Sequence, residues 1–286
     1  MLVAMANGFD KKHGIEVKPV TVASGADLAR GTISGDISIA LNSPPNVIAL
    51  LDQGVDVVAF GKTLTASNFD LIVRSDVATP NSDSGWQGTL KDLAGKRIGV
   101  VARGVAAEDI IKSMFKAAGV DPDKQSYIAT GLAPTTIAAL TNKQIDAAFN
   151  VEPTISLAIQ QGLGRSPFAL RRGDGPDNLR WPGVIATTLR DYAKKNPEVL
   201  KGFIETYEES VKWVNDPANK ATLYKLMADK LGTEAALNDV LFKENTGAFP
   251  SSVALTTKEV QAFLDWSNST GTSLVRHKPS DLLYTL

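Results

Sequence analysis

The 286-residue sequence predicts an α/β protein of two lobes that are joined by two crossings of the chain. First, short β-branched runs alternate with short helical patterns from residue 15 to residue 162, which is typical of βαβ units and a mostly parallel sheet. Second, the segments 40–54 and 149–162 repeat one junction, in which a strand ends at Asn, meets Pro and opens a helix that stops at Gly, at a spacing of 108 positions. Third, only helical patterns follow residue 196.

The first unit begins with an amphipathic helix at about residues 2–12, which Gly14 ends. The stretch "IEVKPVTVAS" predicts a strand that ends near residue 23, and the short helix "GADLARGTISG" follows it. "DISIAL" predicts a strand that leads into the first junction. Two more strands are predicted at 55–60 and 69–74.

The second unit starts after a loop at 75–89 that is rich in Ser, Asp, Gly and Pro. Its predicted strands "KRIGVVA", "QSYIAT" and "IDAAFN" each precede a helix, and "GVIATTL" is a further strand that carries the chain back. We therefore expect one lobe at 1–74 plus 185–286 and the other at 75–184. Two crossings between lobes form a hinge, and a cleft between hinged lobes is able to close.

The C-terminal part is predicted to be a helical tail. Asn196 is an N-cap candidate before Pro197. Thr256 and Glu259 form a capping box for a later helix. Because no strand pattern lies between these helices, we expect the tail to pack on the first lobe.

Composition excludes several classes of function. The net charge of −1 and the pI near 6.2 give no electrostatic reason to expect binding to nucleic acid or to a membrane surface. The absence of Cys excludes disulfides, thiol nucleophiles and Cys-ligated metal sites, and it fits an oxidising compartment. The N-terminal residues lack the ordered features of a secretory signal.

The two junctions are the main candidate binding features. In open α/β sheets, ligands bind beyond the carboxyl ends of strands, where helix N-termini carry unpaired N–H groups and a partial positive charge. The alternative is that strand–Pro–helix is simply a common way to build an α/β turn. The junction residues that we expect to face one cleft are Asn42, Ser43, Pro44, Asn150 and Glu152.

Other loops occupy equivalent places at the ends of predicted strands. They contain the small residues Ser24, Gly25, Ala102, Gly104 and Gly131, which allow backbone N–H groups to approach a ligand. Arg103 is either a clamp for an anionic group or a solvated surface side chain.

Two further residues have open assignments. Glu152 at a helix start is favourable for the dipole alone, but in a cleft it would repel an anion and favour an amine, an amidine-like nitrogen or a hydroxyl. Trp181 is either core or a wall of the cleft.

Catalytic chemistry has no named candidate in the sequence. The two histidines, His13 and His277, lie near opposite ends of the chain, and no metalloprotease, nucleophile-elbow, P-loop or dinucleotide motif occurs. We therefore expect a protein that is not an enzyme and that needs no cofactor.

The chain resembles the substrate-binding proteins of ABC importers in the nitrate/sulfonate/taurine group, which includes the binding proteins for thiamine pyrimidine precursors. The stretches that carry the resemblance are "VAMANGFDKKHGIEVKPV", "SGDISIALNSPPNVIALLDQG", "LKDLAGKRIGVVARGVAAEDIIKSMFKAAGVDPDK", "IAALTNKQIDAAFNVEPTISLAIQQG" and "NPEVLKGFIETYEESVKWVND". They cover most of the chain up to about residue 216.

The resemblance implies a type II periplasmic-binding-protein-like fold and an extracytoplasmic or periplasmic monomer. Such a receptor binds a small sulfonate-, nitrate-, carboxylate- or pyrimidine-like solute, delivers it to a membrane permease and binds no nucleic acid. It also implies that Ser24, the segments 42–44 and 102–105 (with Val105) and Glu152 line the ligand cleft.

Two departures from the family pattern affect these expectations. Family members begin with a central strand of the first lobe, and this sequence starts directly at the first helix, so we expect that strand to be missing. The related pyrimidine synthases carry a Cys-rich motif that is absent here. The alternatives are a cytosolic enzyme of the same fold in pyrimidine or menaquinone-type biosynthesis, and the effector-sensing domain of a regulator.

Overall fold

The computed structural model describes residues 1–22, 24–245, 247–273 and 275–286. Its strands are β1 (Ala40–Asn42), β2 (Val57–Leu64), β3 (Asp70–Arg74), β4 (Arg97–Val100), β5 (Ser126–Ala129), β6 (Ala147–Asn150), β7 (Gly164–Arg165) and β8 (Val184–Leu189). Its helices are α1 (Leu2–Asn7), α2 (Phe9–Lys12), α3 (Gly25–Ser34), α4 (Pro44–Asp52), α5 (Gly85–Asp92), α6 (Ala106–Ala117), α7 (Ala133–Thr141), α8 (Thr154–Gln160), α9 (Arg190–Lys195), α10 (Pro197–Asn215), α11 (Lys220–Leu231), α12 (Ala235–Asn245), α13 (Thr257–Thr270) and α14 (Pro279–Leu282).

The strands form two separate sheets, which confirms an α/β fold with two lobes. One sheet has the order β1-β8-β2 and is antiparallel throughout. The other has the order β5-β4-β6-β3-β7, with β4 parallel to β5 and β6, and with β3 antiparallel to β6 and β7. The parallel part is thus confined to the βαβ units of the second lobe.

The chain crosses between the sheets twice, between β2 and β3 and between β7 and β8. The returning strand β8 inserts between β1 and β2, so the first sheet is antiparallel and not parallel as predicted. The strand β3 was expected to belong to the first lobe, but it pairs with β6 and β7 in the five-stranded sheet. The first crossing therefore lies before residue 70, in the segment between β2 and β3, and the predicted boundary at residue 74 is corrected to that position.

The predicted strand at residues 15–23 does not form in its described part. Residues 15–22 have no ladder partner among the described residues, and a groove of about 680 Å³ lies between them and residues 36–41, which lead into β1. A β-branched sequence becomes a strand only where a neighbour offers backbone groups to pair with, and no strand of the described part of the chain reaches this segment. Residue 23 lies outside the described residues.

The N-terminal helix is divided at Gly8. This glycine has φ +71° and ends α1, so that α2 starts immediately after it in a new direction. A left-handed backbone is inexpensive for glycine and interrupts a helix for any residue.

The helical tail packs mainly on the three-stranded sheet. α10 and α14 contact β2, and α13 contacts α4. α12 additionally contacts α8 of the second lobe. Within the described residues, no helix is both long and apolar enough to cross a bilayer.

Candidate functional site

Three helix N-termini meet where the two lobes face each other. Gly25 at the start of α3 lies against Asn46 in the first turn of α4, and a Cβ at position 25 would be only 2.4 Å from the Asn46 amide nitrogen. The Asn46 Oδ1 atom accepts a hydrogen bond from the backbone N–H of Ala106 at the start of α6, at 3.4 Å. Asn46 therefore connects the first junction to the second lobe.

The first junction contains buried polar side chains without partners. Asn42, the last residue of β1, is 1% exposed, and neither its Oδ1 nor its Nδ2 has a hydrogen-bond partner among the described residues. The residue Ser43 is 9% exposed, and its Oγ also has no hydrogen-bond partner among the described residues. An unpaired buried polar group costs about 1–3 kcal/mol, so this arrangement is costly unless a ligand or water fills it.

The backbone of α4 offers little to an anion. Pro44 and Pro45 have no N–H, and the N–H groups of Asn46 and Val47 both donate to the Ser43 carbonyl at 3.1 and 3.3 Å. The usual backbone anion site of a helix start is therefore absent from the first four residues of α4.

The second junction has the opposite character. Asn150, the last residue of β6, is fully buried, and its Nδ2 donates to the Gly131 carbonyl and to the Thr136 Oγ1, both at 2.9 Å. Its Oδ1 accepts from the Val151 N–H at 2.8 Å and from the Thr154 Oγ1 at 3.3 Å. Asn150 thus fastens the loop after β5 to the start of α8 and has no free group for a ligand.

The carboxylate of Glu152 is also engaged within the protein. Its Oε2 accepts from the Ser156 N–H at 3.1 Å and its Oε1 accepts from the Ser156 Oγ at 2.9 Å, so that it caps α8. The same Oε1 lies 2.9 Å from the Arg171 guanidinium. Glu152 therefore occupies the place that an anion would take at this helix start.

Arg171 is the centre of a buried ion-pair network that the sequence did not predict. Its side chain is 5% exposed and contacts the carboxylates of Asp70 on β3, Glu152 before α8 and Glu244 on α12. Burial raises the pKa of Asp70 to about 6, although Arg171 acts in the other direction. The spacing of these residues in the sequence does not predict the network, because its members come from four distant segments.

Arg103 is engaged by a carboxylate of its own lobe. Its Nε and Nη2 donate to the two oxygens of Glu108 at 2.7 and 3.0 Å, and its Nη1 donates to the Tyr127 carbonyl. Burial alone would raise the pKa of Glu108, but hydrogen bonds from Arg103, the Gly104 N–H and Lys112 outweigh it and hold the pKa at about 2. Arg103 is neither an unpaired clamp nor a freely solvated side chain.

The remaining predicted residues build the loops around these groups. Ser24 is the N-cap of α3 and accepts from the Asp27 N–H at 3.2 Å, and Val105 is the N-cap of α6. Gly104 and Gly131 have φ of +69° and +68°, which favours glycine at both loops. Ala102 lies half-buried in the loop before α6, and Pro44 is buried as the first residue of α4.

Trp181 lies in the core and not at the cleft surface. It is 1% exposed, and its ring packs against Phe263 and Trp266 of α13. The large apolar area of Trp is most favourably removed from water, and α13 supplies the aromatic partners. The expectation that it forms a wall of the cleft is therefore corrected.

These features define a class of protein: two α/β lobes that are joined by two crossings of the chain, with helix N-termini that meet between the lobes. The model of the family described as "NMT1/THI5 like" matches residues 1–221, and the chain belongs to this family. No curated protein matches the sequence.

Solved structures share the fold at low sequence identity. The alkanesulfonate-binding protein SsuA from Xanthomonas axonopodis pv. citri is 17% identical, with a TM-score of 0.80 over 100% of this chain and 94% of that one. The periplasmic nitrate-binding protein NrtA from Synechocystis PCC 6803 is 14% identical, with a TM-score of 0.75 over 99% and 82%. A Candida albicans gene product with the generic periplasmic binding protein fold is 15% identical, with a TM-score of 0.72 over 98% and 90%. The type II periplasmic-binding-protein fold is thereby confirmed.

Proposed function

We propose that the protein is a non-catalytic receptor whose lobes close on one small solute and deliver it to an ABC permease. The observation that carries this proposal is the buried, unpaired polar set at Asn42 and Ser43, which lies beside the Asn46 contact between the lobes. A ligand that fills this set binds the closed state better than the open one, and closure requires such a difference.

Family membership and the fold of the neighbours support the proposal. Two of the neighbours are binding proteins for alkanesulfonate and for nitrate. By analogy we propose an extracytoplasmic monomer that uses no cofactor. Size-exclusion chromatography with light scattering tests the monomer, and fractionation of the source cells tests the location.

The receptor role is tested by thermal unfolding of the full chain with a panel of sulfonates, nitrate, carboxylates, amides and pyrimidines. A solute at 100 times its Kd adds about 2.7 kcal/mol to the free energy of unfolding, which is readily measured. Asn42→Leu should lose the shift, whereas Asn142→Ala, an exposed Asn at the end of α7, should keep it.

Two outcomes contradict the receptor role. The first is a panel in which no solute moves the midpoint. The second is chemical conversion of the bound solute, detected by mass spectrometry after incubation, which would support an enzyme of the same fold.

A further inference from the structure

Building on the proposed receptor function, we infer that the solute is not an anion and presents an amide-type group, a hydrogen-bond donor beside an acceptor, to Asn42 and Ser43. The inference rests on which polar groups of the site the protein leaves free. At the first junction, the carboxamide of Asn42 and the hydroxyl of Ser43 are buried and have no hydrogen-bond partner among the described residues.

Several backbone donors that could hold an anion are already used. Pro44 and Pro45 supply none, and the next two N–H groups of α4 donate to Ser43. At α6, the Ala106 N–H donates to Asn46, and the Gly104 N–H just before the helix donates to Glu108. An anion bound to these groups would have to displace bonds that the protein makes with itself.

The charged side chains on the ligand loops also have partners within the protein. Asp27 pairs with Arg30 on α3, Arg103 pairs with Glu108 on α6, and Glu152 shares Arg171 with two other carboxylates. An anionic ligand would therefore enter a buried site without a free cation, and an unpaired buried charge is strongly unfavourable.

The Asn42 carboxamide has a specific complement. Its oxygen accepts and its adjacent nitrogen donates, so a ligand with an N–H next to a carbonyl forms two parallel hydrogen bonds with it. The Ser43 hydroxyl donates or accepts according to its rotation, which adds a third bond. Carboxamides, ureas and sulfonamides have this pattern, whereas carboxylates and sulfonates have acceptors alone.

Matched pairs of an acid and its amide test the inference on the full chain. The probes are acetate and acetamide, benzoate and benzamide, and methanesulfonate and methanesulfonamide, each titrated calorimetrically at pH 7.5 and constant ionic strength. We expect the amide of at least one pair to bind about tenfold or more tightly than its acid. Asn42→Leu and Asn42→Asp should both lose this preference, because the first removes both hydrogen-bonding groups and the second removes the donor.

Each contrary result has a distinct meaning. If acids bind more tightly than their amides, the inference fails and the receptor function stands. If the amides bind Asn42→Leu as tightly as the original chain, the inference also fails. If these pairs and the whole solute panel leave the protein unchanged, both the inference and the receptor function fail.

Discussion

Asn42 and Asn150 occupy equivalent places 108 positions apart, yet their carboxamides are in opposite states. Each is the last residue of a strand before a proline-marked helix start, and each is buried. Asn150 makes four hydrogen bonds within its own lobe, whereas neither polar atom of Asn42 has a partner among the described residues. One copy of the junction therefore holds its own lobe together, and the other keeps a buried carboxamide without a partner, which we propose that a ligand fills.

Substitution by leucine should separate these two roles. Asn42→Leu exchanges an unpaired polar group for an apolar one of similar size, so we expect the free energy of unfolding to stay constant or rise by about 1 kcal/mol. Asn150→Leu leaves its buried partners unpaired, and we expect a loss of about 3 kcal/mol. Equilibrium urea unfolding measures both. A large loss at position 42 would contradict the assignment of Asn42 as unpaired.

Replacement of Arg171 alone should strongly lower the free energy of unfolding. Arg171→Met leaves the carboxylates of Asp70 and Glu152 without their shared cation, and we expect a loss of roughly 3 to 5 kcal/mol. The matched control is Arg172→Met, since Arg172 contacts the same Glu244 but is far more exposed. That change should cost about 1 kcal/mol or less. Similar losses for the two variants would show that burial of Arg171 is unimportant.

Low pH should reduce the free energy of unfolding, because Glu108 becomes protonated. Its pKa is about 2 in the fold against an ordinary value of 4.5, so its contribution is present above pH 4.5 and is lost as the pH falls toward 2. Glu108→Gln should therefore lower the free energy of unfolding by about 2 kcal/mol at pH 7, and the difference should shrink steadily below pH 4.5. Urea unfolding at a series of pH values measures this.

The neighbouring carboxyl provides the control for Glu108. Burial raises the pKa of Asp109, so its ionisation destabilises the fold and the effect of Asp109→Asn on stability should have the opposite sign. If the two substitutions changed the free energy of unfolding in the same way at every pH, the environments assigned to Glu108 and Asp109 would be contradicted.

Hydrogen exchange should distinguish the predicted strand at 15–22 from the strands that pair. The structure shows no hydrogen-bond acceptor, among the described residues, for the amides of Lys18, Val20, Thr21 and Val22. We expect them to exchange as fast as an exposed loop, whereas amides of β2 that bond to β8 exchange far more slowly. Protection of residues 20–22 similar to that of β2 would show that this segment has found a partner.

Much of the fold could be read from local patterns. The strands β4, β5 and β6, the helices after them and the capping box of α13 were all predicted from neighbouring residues. The predictions at residues 15–23 and for the direction of the first sheet were wrong. In both cases the outcome depends on which strand lies alongside, and a local pattern does not contain that information.

The sequence by itself determined the order of elements, the duplicated junction, the loops that carry candidate site residues and the family. The tertiary structure alone decided which of those residues are free. The partners of Asn150 lie at 131 and 136, those of Arg171 at 70, 152 and 244, and the aromatic neighbours of Trp181 at 263 and 266. Hydrogen bonds and ion pairs are satisfied by whatever group the fold brings within about 3 Å, irrespective of its distance along the chain. For that reason two junctions that look alike in sequence differ in which of their polar groups have partners.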